Sequence, residues 1–249
     1  MSEAQAPVQP VDVLAIGAHP DDVEFTCGGT LLRLAAEGKK IAIVDCTRGE
    51  MGSRGNADIR DQEAQQAAEM LNVVERVNLE MPDGMIEPSL SNATKIVQVL
   101  RYFQPTIVLF PPAFERHPDH EVVHRLVRRA LFLSGLARFE TTWEGQVQPR
   151  WIIKKAFSYM QVYEFQPDFF VDISPVFEHK MALVRAYRSQ VYTPGAEQKY
   201  GPQTFISSAD FLEMLESRAR YFGALIGVQY AEAFQSLTPV GLPSLSVFL

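Results

Sequence analysis

The chain has 249 residues, 47% hydrophobic and 21% charged, with a formal net charge of −7. That length buries a substantial core, in one large domain or two small ones. The acidic balance argues against a nucleic-acid partner, which needs a basic face, yet leaves room for a small anion held by local charge.

In chain order, residues 1–10 lack the basic start and apolar middle of a signal peptide and are expected to form a flexible tail. The apolar run Val11–Gly17 reads as a buried strand that ends in Ala18-His19-Pro20-Asp21-Asp22. Cys27-Gly28-Gly29-Thr30 then leads into a helix over Leu31–Glu37, which Gly38 closes. A strand at Lys40–Asp45 and a glycine-bearing loop over Cys46–Gly55 precede a helix capped by Asn56, running through Ile59, Ala64, Ala67, Ala68 and Leu71. Next come a short strand at Val73–Leu79, the turn Met81-Pro82-Asp83-Gly84, and a helix through Ile96, Val97, Val99, Leu100 and Tyr102. Thr106–Phe110 is the following strand, and after a short loop stands His117-Pro118-Asp119-His120.

Further on, Lys155–Val162 and Phe169–Ile173 read as a strand pair on the same sheet, followed by a helix over Pro175–Ser189. The polar stretch Val191–Ser208, with Tyr192, Lys199 and Tyr200, suits either a lid or a solvated loop, and a last helix covers Ala209–Ile226. Strands alternating with helices predict a Rossmann-like α/β fold: a mostly parallel sheet with helices on both faces, in a single domain over 11–249. No apolar run reaches the ~20 residues that span a bilayer, so no membrane role is expected. Cys27 and Cys46 provide no disulfide framework, which fits a cytoplasmic location.

The two His-Pro-Asp clusters carry the chemistry. Alone, each reads equally well as a helix start, with a polar cap and Pro at the first position. Together they follow two core strands and hold three of the five histidines, which points to one site at the carboxyl end of a sheet. A catalytic zinc takes three protein ligands and keeps one position open for water. His19, Asp22 and His120 supply that set, which also suits other divalent metals. Asp21 is left to act as base, while His117, held by Asp119 as an imidazolium, is the candidate for stabilising an oxyanion. His120-Glu121-Val122-Val123-His124 also fits H-E-x-x-H, with Glu140 or Glu144 completing a protease-like site. That arrangement would leave His19, Asp21 and Asp22 without a task, and His124 reads better as a helix-face residue. Cys27 reads as a small packing residue rather than a ligand. Cys27-Gly28-Gly29 lacks the spacing of a nucleotide loop.

Both clusters together resemble the LmbE-like (PIG-L) family of zinc-dependent N-deacetylases. Thr47–Gly55, Met81–Gly84, Phe132-Leu133-Ser134-Gly135-Leu136 and Thr204-Phe205-Ile206-Ser207-Ser208 look like its bacillithiol-biosynthesis branch. The resemblance implies one Zn2+ per chain on His19, Asp22 and His120, Asp21 as base, and His117 oriented by Asp119. It further implies that Arg60 and Asp83 bind a sugar. Asp83 reads equally as a turn residue, and Arg60 as an exposed partner of Glu63. The implied substrate is N-acetylglucosaminyl-malate, whose carboxylates would meet the loop arginines Arg48, Arg54, Arg60 and Arg116. Other amino sugars such as diacetylchitobiose, and a non-catalytic sugar- or metal-binding role, are the alternatives. The family tyrosine near the oxyanion has no motif here, with Tyr192 and Tyr200 as candidates. A homo-oligomer, hexamers included, is expected by resemblance.

Overall fold

A computed structural model describes residues 6–195 and 198–248. The first half comprises β1 (Val13–Gly17), α1 (Asp22–Ala36), β2 (Ile41–Asp45), α2 (Ala57–Leu71), β3 (Glu75–Asn78), α3 (Leu90–Phe103), β4 (Ile107–Phe110) and α4 (Pro118–Ser134). A small hairpin of β5 (Thr142–Trp143) and β6 (Gln146–Val147) follows. The remainder is β7 (Lys155–Tyr159), β8 (Phe169–Asp172), α5 (Phe177–Ala186), α6 (Ala209–Ile226) and β9 (Ala231–Ser236).

Seven strands form one sheet in the order β3-β2-β1-β4-β7-β9-β8. β1 pairs in parallel with β2 and β4, Val13 lying opposite Ile41 and Ile107. β3 joins β2 and β7 joins β4, also in parallel. All five residues of β1 and of β2 are buried, as expected of strands covered on both faces. Alternate side chains point to opposite faces. Leu14, Ile16, Val44 and Val108 pack under α3 and α4, while Val13, Ala15, Ile43 and Leu109 pack under α1 and α5. The α/β fold with helices on both faces is therefore borne out. No helix among the described residues is long and apolar enough to cross a membrane.

Several elements differ from expectation. β7 and β8 share the sheet without touching, because β9 inserts between them antiparallel to both. Its sequence, Ala-Glu-Ala-Phe-Gln-Ser, hides a buried carboxylate: Glu232 receives Lys180 and the backbone N–H groups of Gly29 and Thr30. Cys27-Gly28-Gly29-Thr30 is not a lead-in but lies within α1, which starts at Asp22. Gly29 is required there because a Cβ would stand 2.9 Å from the Ile173 side chain. In the expected flexible tail, residues 1–5 lie outside the described residues. The rest is docked: Ala6 donates to the Val147 carbonyl and Gln9 to the Tyr102 carbonyl.

Arg101, 1% exposed, secures the far end of α4, whose last carbonyls have no helical partner. It donates to the carbonyls of Ser134, Leu136 and Phe139 and to Thr141 Oγ1 at 2.7–3.3 Å. Arg101→Met should lower unfolding free energy by about 2–4 kcal/mol in urea titration, since it strands several buried acceptors. An unchanged midpoint would show that water replaces the guanidinium.

Candidate active site

The strand order reverses at β1: the chain steps outward through β2 and β3, then returns to lay β4 on the other side of β1. In open α/β sheets the crevice at the carboxyl ends of two such strands is the ligand site. The two clusters leave these strands side by side. After β1, the Asp22 side chain folds the turn upon itself, Oδ2 accepting the N–H groups of Ala18 (2.8 Å) and His19 (2.9 Å). Asp21 caps α1 at φ 118°, in the left-handed region. A non-glycine residue held there costs of order 1–3 kcal/mol, a strain often found at functional positions. After β4, His117 caps α4, its Nδ1 accepting the Asp119 N–H at 3.3 Å, with Pro118 at the first helical position.

His120 Nε2 lies 3.3 Å from His19 Nδ1 and 3.2 Å from Asp22 Oδ1, and His19 Nδ1 lies 3.7 Å from Asp22 Oδ2. A tetrahedral zinc with ligand bonds of about 2.0–2.1 Å sets its donor atoms roughly 3.3 Å apart. The first two spacings fit that geometry, while the third runs to the other Asp22 oxygen, and a shared cation would satisfy two ring nitrogens that face each other. Two overlapping sets also bring donors within 4.8 Å: His19 with His117 and His120, and His19 with Asp83 and Asp119. Burial opposes a charged His19, yet the carboxylates of Asp119, Asp22 and Asp83 outweigh it and hold its pKa well above the ordinary value. Burial likewise works to raise Asp22, but His120 and His19 hold its carboxyl well below the usual range.

Asp21 stands apart from the facing nitrogens. Burial pushes its pKa up to about 7, against the opposing pull of Arg60. Arg60 Nη2 donates to Asp21 Oδ2 at 3.0 Å and also to the Pro20 carbonyl, while Nη1 donates to Gln190 Oε1 at 3.3 Å. Arg60 is therefore no exposed partner of Glu63, whose carboxylate is taken by the Ser189 N–H and hydroxyl. Asp83 is more than a turn residue: Oδ1 is 3.0 Å from His19 Nε2, and Oδ2 accepts the Met51 N–H at 2.8 Å. Both residues line the cavity expected to hold a sugar, but each is already engaged with the cluster.

The expectation for His117 needs correction. The hydrogen bond between the pair comes from the Asp119 backbone, while the Asp119 carboxylate accepts the Gly84 N–H at 2.8 Å and faces His19 Nε2 at 3.4 Å. Burial, reinforced by His19 and His120, lowers the His117 pKa to about 4. The ring is thus neutral, not an imidazolium, and with Nδ1 accepting, Nε2 carries its proton.

A cavity of about 340 Å³ opens over the cluster. Its lining includes Thr204, Phe205 and Ile206 from the expected lid stretch, but neither Tyr192 nor Tyr200. Of that stretch, residues 196 and 197 lie outside the described residues. Tyr192 borders a separate hollow of about 660 Å³ that contains no residue of the clusters. His124 bonds the Pro111 carbonyl at 2.9 Å, and Glu121 accepts the Glu115 N–H, so H-E-x-x-H does not assemble. Cys27 and Cys46 are buried and free. Sequence reasoning missed Gln161, whose Nε2 donates to Asp22 Oδ1 at 3.0 Å, as well as Gln190 and Arg218, all on the cavity lining. Nothing local marks these three; distant segments bring them in.

The family described as PIG-L, GlcNAc-PI de-N-acetylase, matches residues 14–131. The chain is 30% identical to the diacetylchitobiose deacetylase of Thermococcus kodakarensis, over 90% of this chain and 82% of that protein. The chain belongs to the PIG-L family of N-deacetylases. Another PIG-L relative is the probable N-acetyl-alpha-D-glucosaminyl L-malate deacetylase 2 of Bacillus cereus, 28% identical over 72% of this chain and 83% of that one. The solved structure of the conserved protein TT1542 from Thermus thermophilus matches this PIG-L chain with TM-score 0.82 and 35% identity, covering 93% of this chain and 97% of that one. The resemblance read from the two clusters is thereby borne out.

Gly49 holds the Arg60 contact in place. It sits at φ +66°, and a Cβ would stand 2.6 Å from the Arg60 guanidinium carbon. Gly49→Ala should cost about 1–3 kcal/mol of stability and displace Arg60 from Asp21. A melting temperature equal to wild type would show that the loop yields without moving the guanidinium.

Proposed function

We propose that this PIG-L chain is a zinc-dependent hydrolase that removes the N-acetyl group of an N-acetylglucosamine conjugate, with N-acetylglucosaminyl-malate, in bacillithiol biosynthesis, as its substrate. One observation carries the chemistry: His19, Asp22 and His120 converge at zinc-like spacing with the buried base Asp21 adjacent, on one cavity floor. Zinc, when bound, supplies a Lewis acid and an acidified water. Asp21, pushed up to about 7 by burial, is matched to accepting a proton near neutral pH and returning it to the leaving amine. Arg60 fixes one oxygen of that carboxylate. His117 offers a neutral Nε2–H to the developing oxyanion, its other nitrogen being occupied by the Asp119 N–H. The reading places the protein in the cytoplasm as a homo-oligomer, hexamers included, which light scattering tests; a monomer would reject the assembly.

The malate conjugate is supported by the Bacillus cereus relative and by cationic residues on the cavity lining, Arg116 and Arg218. A second reading, deacetylation of diacetylchitobiose, is favoured by the more extensive match to the Thermococcus enzyme. Amine release from the malate conjugate, diacetylchitobiose and N-acetylglucosamine separates the two. Preference for the conjugate is expected, and preference for the disaccharide would overturn it. Asp21→Asn should keep about one zinc per chain by elemental analysis while kcat falls roughly 10²–10⁴-fold. His120→Ala should lose the metal itself. Full activity in Asp21→Asn would remove this residue from the role of base.

A further inference from the structure

Arg218 projects from α6 onto the cavity wall beside Phe211, Met214 and Leu215. It is part-buried, and among the described residues its guanidinium has no hydrogen bond, ion pair or ring contact. Burial lowers its pKa, with Glu115, Glu232 and Glu164 opposing, but an arginine stays charged in a protein. Glu164 is exposed to solvent, and the other two acids are already committed. Glu115 accepts the N–H groups of Val162 (2.8 Å), Tyr163 (3.1 Å) and Arg116 (2.6 Å). Glu232 is taken by Lys180 and the backbone N–H groups of Gly29 and Thr30 in α1. Other arginines near the site are engaged too: Arg60 by Asp21, Arg54 by the carbonyls of Ser189, Gly201 and Pro202, and Arg48 by Asp58 and Asp61.

A part-buried cation against an apolar wall, with no carboxylate within hydrogen-bond reach, is costly unless a ligand brings one into direct contact. We infer that Arg218, assisted by Arg116, forms a carboxylate-binding subsite that selects substrates with an anionic aglycone. Arg116 is exposed and held 5.3 Å over the Phe205 ring, on the lining of the same cavity. The cavity is thus polarised, with carboxylates and imidazoles at the cluster and unpaired guanidinium on the α6 wall. Arginine presents a planar fork that matches a carboxylate through paired N–H donors. A neutral disaccharide offers it no such group. The inference rests on the deacetylase reading for which end of the substrate enters the cluster.

The test compares N-acetylglucosaminyl-malate with its dimethyl ester, of similar shape but uncharged, on zinc-loaded enzyme. Wild type should favour the acid by about tenfold or more in kcat/KM, the scale of one charge-assisted pair. Arg218→Gln should bring that ratio close to one. Arg218→Lys, which keeps the charge but not the fork, should retain part of the preference. A wild-type ratio of one, or an equal fall on both substrates in Arg218→Gln, would overturn the subsite. If neither compound releases amine, the deacetylase reading fails, and calorimetric binding of the same pair to wild type and Arg218→Gln still decides the subsite. Tighter binding of the acid that disappears in the variant supports it, and equal binding overturns it.

Discussion

Asp21, Asp22, Asp83 and Asp119 share one buried crevice with His19 and His120, and the need to hold so much charge away from water shapes everything near it. Each carboxylate is stabilised by donors that belong to the fold. Backbone N–H groups of Ala18, His19, Met51 and Gly84 serve Asp22, Asp83 and Asp119, and Arg60 serves Asp21. Backbone donors cannot drift, so they fix each oxygen at a small entropic cost. What they leave over is a set of nitrogen and oxygen lone pairs aimed at a common space, which is what a cation requires.

The division of labour among these acids follows from their partners. Asp22, facing two imidazoles, is held ionised; Asp21, buried and, among the described residues, paired only with Arg60, is pushed up towards neutrality. Neighbouring residues of the same type thus acquire opposite tendencies, as the proposed ligand and base roles require. His117 shows the same logic. Its place at the start of a 17-residue helix uses one ring nitrogen as a cap, while burial, with His19 and His120, keeps the ring neutral. The cap orients the ring without a carboxylate partner.

Outside the cluster, the supporting shell is built from segments far apart in the chain. Gln161 follows β7, Gln190 follows α5, and Arg218 lies on α6, yet all reach one cavity. The Glu232–Lys180 pair ties β9 to α5 and, through Gly29 and Thr30, to α1. That tie sets the middle of α1 against the sheet, so the helix whose first turn carries Asp22 has little freedom to shift. A buried pair of this kind adds specificity of packing more surely than net stability.

The parallel core, its helix-covered faces and the two His-Pro-Asp clusters were legible in the sequence because each is a local pattern. Apolar runs such as Val11–Gly17 need no distant information, and a polar cluster at a strand end has one place to go. The register of β9 was not legible, since its alternation is broken by Glu232, whose charge is tolerable only beside Lys180. Nor was the start of α1, where Gly28 and Gly29 mimic a loop until Ile173 is seen to need the space. Residue type alone announced an arginine at position 60, but its burial against Asp21 depended on Gly49 and Gln190 arriving from elsewhere. The sequence by itself determined which groups exist to do chemistry. Tertiary structure decided which are already paired, because ionic partners are chosen by proximity in space and not by spacing along the chain.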